Sequence, residues 1–314
     1  MAANTGNNPF ETEMPTAQYT TALELLLQQK ISKLRDRFTT AGGHVGKAAS
    51  PVNQIGTVEF RAPQARYSEI EFQYPNYTRR WVTPNDRDVG IPVDQFDELK
   101  TIVNPTSGIT MAVVAAANRF FDDLIIGCAF ASASTGVDAS SLQTETWPST
   151  TFLVADTFGN GSSVGMTYDK VIEGRRILRH WQNDLEAEEV VLVIGSQQES
   201  DLLRQAELLD KQFNGAPLVE SGSVTRVAGC NVVVTERLNT SSSNTLRNCI
   251  MGVKSFLYLG LWKDMNSNVS QRMDLTSHPW QLYSMISAGA TRLQYGKGVQ
   301  INCADTTGFD LTAA

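Results

Sequence analysis

Apolar residues recur every three or four positions between Asn104 and Phe130, which is the spacing of one face of an α-helix. Asn104 suits the capping position, and Pro105 suits the first helical position because its nitrogen carries no hydrogen that would lack a partner. The pattern predicts one helix over residues 105–130, roughly 39 Å long at 1.5 Å per residue. A membrane span is not predicted, because charged residues interrupt the apolar run. These residues are Arg119, Asp122 and Asp123. A rod of this length needs a surface packed along it.

Residues 16–38 carry a second helical pattern with a single apolar face. That face consists of Leu23, Leu26, Leu27, Ile31, Leu34 and Phe38. A helix near a chain terminus needs a partner surface, and the pattern leaves open whether that surface belongs to its own domain or to another chain. The following residues, 41–51, are rich in glycine and alanine and predict a linker.

Between residues 54 and 81 the apolar period changes to two, which is the period of a β-strand. The alternating apolar residues are Val58, Phe60 and Ala62 in the first run and Ile70, Phe72 and Tyr74 in the second. The pattern predicts a long β-hairpin with a connection around residues 63–68. Because an isolated two-stranded ribbon is marginally stable in water, this hairpin is expected to lie against its own body or against a neighbouring subunit.

From residue 151 onward, strand and helix patterns alternate in the manner of an α/β region. The predicted elements are a strand at 151–155, a glycine-rich turn at 159–165, a helix at 168–182, a buried strand at 189–194, a helix opening at Ser196, a loop at 211–224, a strand at 226–235 and two strands within 281–305. Ser196 and Glu199 have the spacing of a capping box. With the flanking hairpin and rod, the fold class is α+β.

The chain has 314 residues, a formal net charge of −7 and a pI of about 5.1. This length is sufficient for a large core without disulfides or metal. The acidic balance argues against a dedicated nucleic-acid binder, which gathers Lys and Arg on one face. The four cysteines are far apart and are expected to be buried thiols in a reducing compartment. The first residues show no basic and apolar regions of a secretory signal, so the protein is expected to stay where it is made.

One stretch carries a candidate nucleophile. Residues 161–165 match the G-x-S-x-G pattern with Ser163 at its centre, and Asp264 and His278 follow in the order of a serine hydrolase. That geometry requires a strand that ends directly before the serine, whereas the predicted strand ends at residue 155. A flexible loop is therefore the favoured interpretation.

Phosphate and metal sites are not predicted. Residues 41–48 contain a Gly-Lys pair, but Ala41 and Ala48 stand where a phosphate-binding loop needs Gly and Ser or Thr. The histidines, His44, His180 and His278, have no carboxylate or cysteine at ligand spacing. Asp122 and Asp123 are adjacent and point about 100° apart on a helix, so they do not form an acid and base pair. The sequence predicts no catalytic residue, no cofactor and no metal.

Five stretches, taken in order, resemble segments of a major capsid protein family of tailed bacteriophages. They are LLQQKISKLRDRF (26–38), YTRRWVTPND (77–86), NPTSGITMAVVAAANRFFDDLIIGCAF (104–130), RVAGCNVVVTERL (226–238) and SAGATRLQYGKGVQINCAD (287–305). The resemblance spans nearly the whole chain, and its specificity comes from the series rather than from any one stretch.

The resemblance implies the Hong Kong ninety-seven-type capsid fold. Its parts are an N-terminal arm (1–48), an extended hairpin or E-loop (49–88), a peripheral or P-domain (89–164) with a spine helix (105–130), an α/β axial or A-domain (165–264) and returning P-domain strands (265–314). The loop at 211–224 is then a candidate for lining the five- or six-fold axis. The long helix is explained as the spine on which the P-domain sheet packs.

The resemblance also implies a structural protein of the virion, without enzyme activity, whose copies form hexamers and pentamers of an icosahedral head around double-stranded DNA. The implied partners are other copies, a separate scaffolding protein, a portal and decoration proteins; DNA is contacted weakly, and no membrane is involved. Assembly is expected in the cytoplasm of the bacterial host. The expected inter-subunit contact residues are Leu23, Leu27, Leu34, Phe60, Arg66, Tyr67, Phe72, Arg79, Arg80 and Trp81.

Two alternatives remain at this point. A bacterial nanocompartment shell protein shares this fold, and it closes around a cargo enzyme without a scaffolding partner. A serine hydrolase that uses Ser163 is the alternative from a different class of protein.

Overall fold

A computed structural model describes the chain in residues 28–44, 49–62, 65, 69–70, 72–93, 105–138, 141–159, 161–205, 224–240, 245–276 and 278–305. The α-helices of these ranges are α1 (Pro105–Ala129), α2 (Tyr168–His180) and α3 (Ser196–Leu203), and a 3-10 helix spans Tyr295–Lys297. The strands are β1 (Thr39–Gly42), β2 (Ser50–Ile55), β3 (Tyr77–Val82), β4 (Asn85–Val93), β5 (Ala133–Thr135), β6 (Gln143–Glu145), β7 (Leu153–Val154), β8 (Val190–Ile194), β9 (Arg226–Val227), β10 (Cys230–Val234), β11 (Leu246–Val253), β12 (Leu257–Gln271), β13 (Trp280–Arg292) and β14 (Gly298–Ala304).

The predicted long helix is confirmed as α1, whose 25 residues give a rod of about 38 Å. Its apolar side chains Phe121, Ile125 and Ile126 are almost completely buried. The helix packs against β12 and β13, which supply the surface that the rod was expected to need. Asn104, the expected cap, lies outside the described residues.

The ribbon sheet has the strand order β1-β12-β13-β4 and is built around two long antiparallel strands, β12 and β13. The strand β13, one of the two strands predicted within 281–305, buries alternate residues from Leu282 to Ala288. The sequence did not predict β12, because its outer half, residues 262–271, is mostly polar and exposed and has no apolar period.

The six-stranded sheet has the order β7-β14-β11-β8-β10-β9, and its strand β8 is buried along its whole length. Every residue of β8, Val190–Ile194, is buried, which confirms the buried strand predicted there. A parallel partner, β10, lies on one side of β8, and an antiparallel partner, β11, lies on the other. The helix α2 packs against β14 and β7.

The strand predicted at residues 226–235 is instead a small hairpin of β9 and β10. Ala228 and Gly229 both have positive φ values, 48° and 80°, which are the backbone angles of a tight two-residue turn between antiparallel strands. Val227 and Cys230 consequently face each other across the turn. The uninterrupted apolar run concealed this reversal.

The helix predicted over residues 16–38 is wrong for its described part, because residues 28–38 form turns and bends. The backbone N–H groups of Lys33 and Leu34 donate to the side-chain carboxylate of Asp122 and are therefore not available for helical hydrogen bonds. The N–H of Arg35 donates to the Ser32 hydroxyl. The start of the predicted helix lies outside the described residues.

The predicted hairpin exists, but its paired strands lie outside the two alternating runs. The strand β2 pairs antiparallel with β3, and the pairing ends where the N–H of Gly56 donates to the carbonyl of Asn76, at 2.6 Å. Among the described strands, β3 alone of this pair has a further neighbour, β5, and a ribbon without a third strand is weakly held. The alternating residues at 58–62 and in the described part of 70–74 belong to no strand.

The capping box predicted at Ser196 and Glu199 is wrong, because Gly195 is the N-cap residue and makes no side-chain cap. The N–H of Ser196 instead donates to the carboxylate of Glu236, at 2.5 Å. Glu199 accepts a hydrogen bond from the N–H of Val224, at 3.2 Å. Apart from Val224, the loop predicted at 211–224 lies outside the described residues.

The sheets cross the expected domain limits. The expected limit at 88/89 falls inside β4, and the limit at 264/265 falls inside β12. Both strands belong to the ribbon sheet. The last strand, β14, pairs with β11 of the six-stranded sheet rather than with β13.

A fully buried lysine fixes the start of α2 to the six-stranded sheet. The Lys170 ammonium donates to the carbonyl oxygens of Val164, Gly165 and Asn302, at 2.8, 3.0 and 3.1 Å. Burial lowers the pKa of this lysine below its usual range, although neighbouring acidic groups oppose the shift. One side chain therefore joins the segment before α2 to the strand β14, although the Val164 carbonyl also accepts from the N–H of Ala304, at 3.0 Å.

We expect Lys170→Met to lower the free energy of unfolding by about 1–3 kcal/mol at neutral pH, because three partly buried carbonyls lose the ammonium group as a donor. A lowered pKa means that the folded state binds fewer protons than the unfolded state as the pH rises toward 10.5. The wild type should therefore gain stability relative to Lys170→Met in the alkaline range. Urea unfolding at several alkaline pH values measures this difference, and a gap independent of pH would contradict the prediction.

Candidate interaction surface

The root of the hairpin belongs to a third sheet, the root sheet, with the order β2-β3-β5-β6. Arg79 on β3 donates from Nε to the Asn53 side chain, at 2.8 Å, and from a terminal nitrogen to the Val137 carbonyl, at 2.6 Å. The indole N–H of Trp81 donates to the Gly136 carbonyl, at 2.9 Å. The root is therefore held by side chains as well as by strand pairing.

At the outer end of its root and beyond it, the hairpin presents apolar side chains to solvent. Phe60 is fully exposed and Phe72 is 78% exposed. The other exposed large apolar residues of this segment are Ile55, Val58, Ile70, Tyr74 and Tyr77. We call these seven residues the hairpin apolar surface. Monomeric proteins rarely expose so many large apolar residues in one segment, so this surface is a candidate for contact with another protein.

The described part of the arm, residues 28–44, docks on its own chain, and Asp122 of α1 is its main anchor. This carboxylate is fully buried and accepts four hydrogen bonds from the arm. The donors are the Gln29 amide at 2.5 Å, the Ser32 hydroxyl at 2.6 Å, and the backbone N–H groups of Lys33 at 3.1 Å and Leu34 at 3.2 Å. One helical residue thus accounts for the backbone course of the arm.

Further contacts extend the arm over the rest of the chain. Lys33 donates to the Val234 carbonyl at 2.7 Å, and Arg35 pairs with Asp264 at 2.6 Å. The arm then forms β1, which adds a parallel strand to β12. The sequence left open whether this segment docks on its own domain or on another chain. In the structure, residues 28–44 lie on their own chain.

A charged cluster joins the hairpin root to the end of α1. Arg80 on β3 donates to the carboxylate of Glu145 on β6 and to the carbonyl of Leu293, the latter at 2.8 Å. Arg292, at the end of β13, donates to the carbonyls of Ala129 and Ala131, where α1 ends. A cation near a helix C-terminus is favourably placed with respect to the helix dipole.

The structure places the expected contact residues in three groups. Phe60 and Phe72 are exposed, and Arg79 is partly exposed at the root. Leu34, Arg80 and Trp81 are buried by their own chain, so in this conformation these side chains offer little surface to a neighbour. Leu23, Leu27, Arg66 and Tyr67 lie outside the described residues.

The sequence reasoning missed Asp122, Glu145 and Arg292 as organising residues. Asp122 carried a usable signal, since a carboxylate next to the buried residues Phe121 and Ile125 requires donors of its own. Glu145 and Arg292 carried none, because their partners are distant in sequence.

The chemical candidates do not come together as a site. Ser163 lies in an exposed loop that no strand directly precedes. Both carboxylate oxygens of Asp264 are engaged by Arg35. The ring nitrogens of His44 make hydrogen bonds to Ser50 and Tyr258. Within the described ranges, no group of His, Cys, Asp or Glu side chains is placed to hold a metal ion.

The cysteines are free thiols, and Cys230, Cys249 and Cys303 are buried as expected, whereas Cys128 is partly buried. Burial raises the pKa of Cys128 to about 12 and that of Cys230 to about 11, so both remain protonated at neutral pH. No helix in the described part of the chain has the length and apolarity to cross a membrane.

Comparison with known proteins places these features in context. A family model described as phage capsid protein matches residues 12–305. A comparison with curated protein sequences finds no significant match. Similar solved structures include the capsid of cyanophage P-SCSP1u, with a TM-score of 0.72 at 12% identity over 97% of both chains. The capsid of Ralstonia phage GP4 has a TM-score of 0.69 at 9% identity over 98% of this chain and 99% of that one.

The mature capsid of bacteriophage PhiM1 is also similar, with a TM-score of 0.64 at 11% identity over 93% of this chain and 92% of that one. At such low identity these matches show the fold, which is the Hong Kong ninety-seven-type capsid fold expected from the sequence. The fold is shared over almost the full length of each chain.

Proposed function

Because the chain belongs to the phage capsid protein family, we propose that its copies join into hexamers and pentamers that close into an icosahedral head around double-stranded DNA. Family membership makes the chain a structural protein of a bacteriophage head and not an enzyme. It also favours a phage head over the nanocompartment alternative and removes the ground for a hydrolase that uses Ser163. The proposal concerns which surfaces join the copies and how they close.

The observation that supports the proposal is the hairpin apolar surface. Its side chains are exposed on the single chain, and burying one phenylalanine is worth about 1.5–3 kcal/mol. A hairpin from one copy that lies on a different patch of the next copy makes a heterologous contact, and such contacts close into rings when the rotation permits. The proposed partner of the hairpin is therefore the adjacent subunit.

Many weak contacts make a strong shell. Each subunit would give one hairpin to a neighbour and receive one from another, so that every further contact forms within an existing assembly. The arm before Gln28, with Leu23 and Leu27, and the hairpin residues Arg66 and Tyr67 are proposed to add contacts. Slight changes of angle between otherwise identical contacts would allow rings of five and of six.

Further partners belong to the same proposal. We propose a separate scaffolding protein, a portal and decoration proteins, and assembly in the cytoplasm of the bacterial host before the protein takes its place in the virion. The net charge of −7 suits a container, because a strongly basic lining would hold the DNA and oppose its loading and ejection. Contact with DNA is then weak and independent of sequence.

Electron microscopy of the purified protein tests the proposal. We expect closed shells of uniform diameter, or rings with five- and six-fold symmetry, at high protein concentration. Light scattering over a range of protein and salt concentrations provides the matching solution measurement. A protein that stays monomeric under all these conditions, with and without a co-expressed scaffolding protein, would contradict the proposal.

A further inference from the structure

Four separate segments meet at one charged cluster, formed by Arg80, Glu145 and Arg292. Arg80 lies in the middle of the hairpin root, opposite Val52 on one side and Thr135 on the other. Its guanidinium binds Glu145 and the Leu293 carbonyl. The hairpin root is thus tied to β6 and to the end of β13.

Arg292 connects this charged cluster to the end of α1. Its guanidinium is almost completely buried and donates to the carbonyls of Ala129 at 3.2 Å, Ala131 at 2.7 Å and Glu145 at 3.3 Å. It also lies over the ring of Trp147, at 5.0 Å from the ring centre. The direction of the hairpin and the end of the long helix are consequently fixed by one network.

The charge balance makes Glu145 the central member. Burial lowers the pKa of Arg292, repulsion by Arg80 adds to this shift, and Glu145 opposes it. The Glu145 carboxylate accepts from Arg80, and the backbone carbonyl of the same residue accepts from Arg292. One residue therefore contacts both guanidinium groups. The Nε atom of Arg292 is buried and has no hydrogen-bond partner in the described part of the chain. The hydrogen-bonding groups of the cluster are therefore only partly satisfied. Members of such a polar network strengthen one another, so the loss of one weakens the contacts of the others.

A small rotation at this cluster has a large effect at the hairpin. From Arg80 to Phe72 the chain spans at most about 26 Å, at roughly 3.3 Å per residue. A tilt of about 5° at the root would move the apolar side chains by about 2 Å over this distance. The patch that Phe60 and Phe72 reach on a neighbour would shift by the same amount.

We propose that Glu145 is a positioning residue that sets the angle between the hairpin and α1, and through it the curvature of the shell. The inference rests on the proposed function, because curvature has meaning only if the hairpin joins copies. Glu145 touches no neighbouring subunit in this scheme. It acts through Arg80 and Arg292.

The test compares shells of the wild type with those of Glu145→Gln, which keeps the size of the side chain and removes its charge. We expect Glu145→Gln to form shells whose spread of diameters in electron micrographs is at least twice that of the wild type, with open or elongated particles. The matched control is Glu173→Gln, which removes the carboxylate of another arginine pair, that with Arg176 on α2. This control should give wild-type diameters.

A stability control separates positioning from simple loss of stability. Leu192→Ala removes buried volume in β8, far along the chain from the cluster, and should destabilise the subunit without widening the spread of diameters. If Glu145→Gln does not melt cooperatively, Glu145→Asp decides instead, because aspartate keeps the charge but its shorter side chain withdraws the carboxylate from Arg80.

The outcomes are distinct. Wild-type diameters for Glu145→Gln, or for Glu145→Asp where that variant decides, would overturn the inference and leave the proposed function standing. An equal widening in Leu192→Ala would also overturn it, because general destabilisation would then explain the result. If the wild type forms no shell, the proposed function itself fails.

Discussion

We expect that replacing both Phe60 and Phe72 with serine abolishes shell formation while leaving the subunit folded. Both side chains are exposed on the single chain, so their loss should change the free energy of unfolding by less than about 0.5 kcal/mol each. In the assembled shell they would be buried, and their loss would remove about 3–6 kcal/mol per subunit contact. The concentration needed for assembly should rise at least about 100-fold.

The matched control is the double variant Phe60→Leu with Phe72→Leu, which retains apolar side chains at both positions. It should assemble at concentrations within about tenfold of the wild type, because most of the buried apolar area remains. Thermal melting shows whether both variants are folded, and light scattering gives the concentration at which particles appear. If the serine variant formed shells as readily as the leucine variant, the hairpin apolar surface would have no role in assembly.

Local sequence patterns predicted the elements whose surroundings are uniform along their length. The helix α1 packs one apolar face on a sheet, and the period of its apolar residues gave its bounds to within one residue. The strand β8 is buried on all sides, and its continuous apolar run was sufficient to identify it. In both elements the burial pattern follows directly from the order of apolar residues.

The arm shows why periodicity fails when a side chain distant in sequence accepts the hydrogen bonds of the backbone N–H groups. Residues 28–38 have helical spacing, and Leu34 and Phe38 are buried as that spacing implies. The backbone is nevertheless not helical, because the N–H groups of Lys33 and Leu34 bind Asp122, which lies 88 or more positions away along the chain. No pattern within the arm contains this information.

The hairpin shows a different limit. Its alternating residues indicate a strand with one apolar face, and that face is exposed in the single chain. The strand pairing stops at Gly56 and Asn76, where the root sheet ends. Under the proposed function the alternation records burial against a neighbouring copy, which one chain does not supply. The resemblance to capsid proteins, and not the alternation, pointed to that neighbour.

The candidate site was therefore predicted in part. The exposed aromatic residues Phe60 and Phe72 were expected at the contact from the resemblance to capsid proteins. The roles of Arg80, Glu145 and Arg292 follow only from the fold, because the cluster joins segments separated by as many as 213 positions. Buried polar clusters of this kind depend on three-dimensional neighbours, and a single sequence gives no sign of them.

Adjacent aspartates on α1 provide a sharp test of how the arm is held. We expect Asp122→Ala to lower the free energy of unfolding by about 3 kcal/mol or more. The change leaves the N–H groups of Lys33 and Leu34 without the acceptor that they have in the buried network, and each such group costs about 1–3 kcal/mol. Hydrogen exchange at these two amides should become at least about 100-fold faster, because the anchor of the arm is lost.

Asp123→Ala is the matched control, since it makes the same replacement one position further along the same helix. Asp123 pairs with Arg237 through two bonds of 2.5 Å, but its side chain is 46% exposed. Exposed ion pairs contribute at most about 1 kcal/mol, so this variant should lose little stability. The gain in helix propensity from alanine is similar at both positions and largely cancels in the comparison. Equal losses in the two variants would show that burial of Asp122 by the arm does not stabilise the subunit, and the arm would then be free to leave its own body and bind another copy.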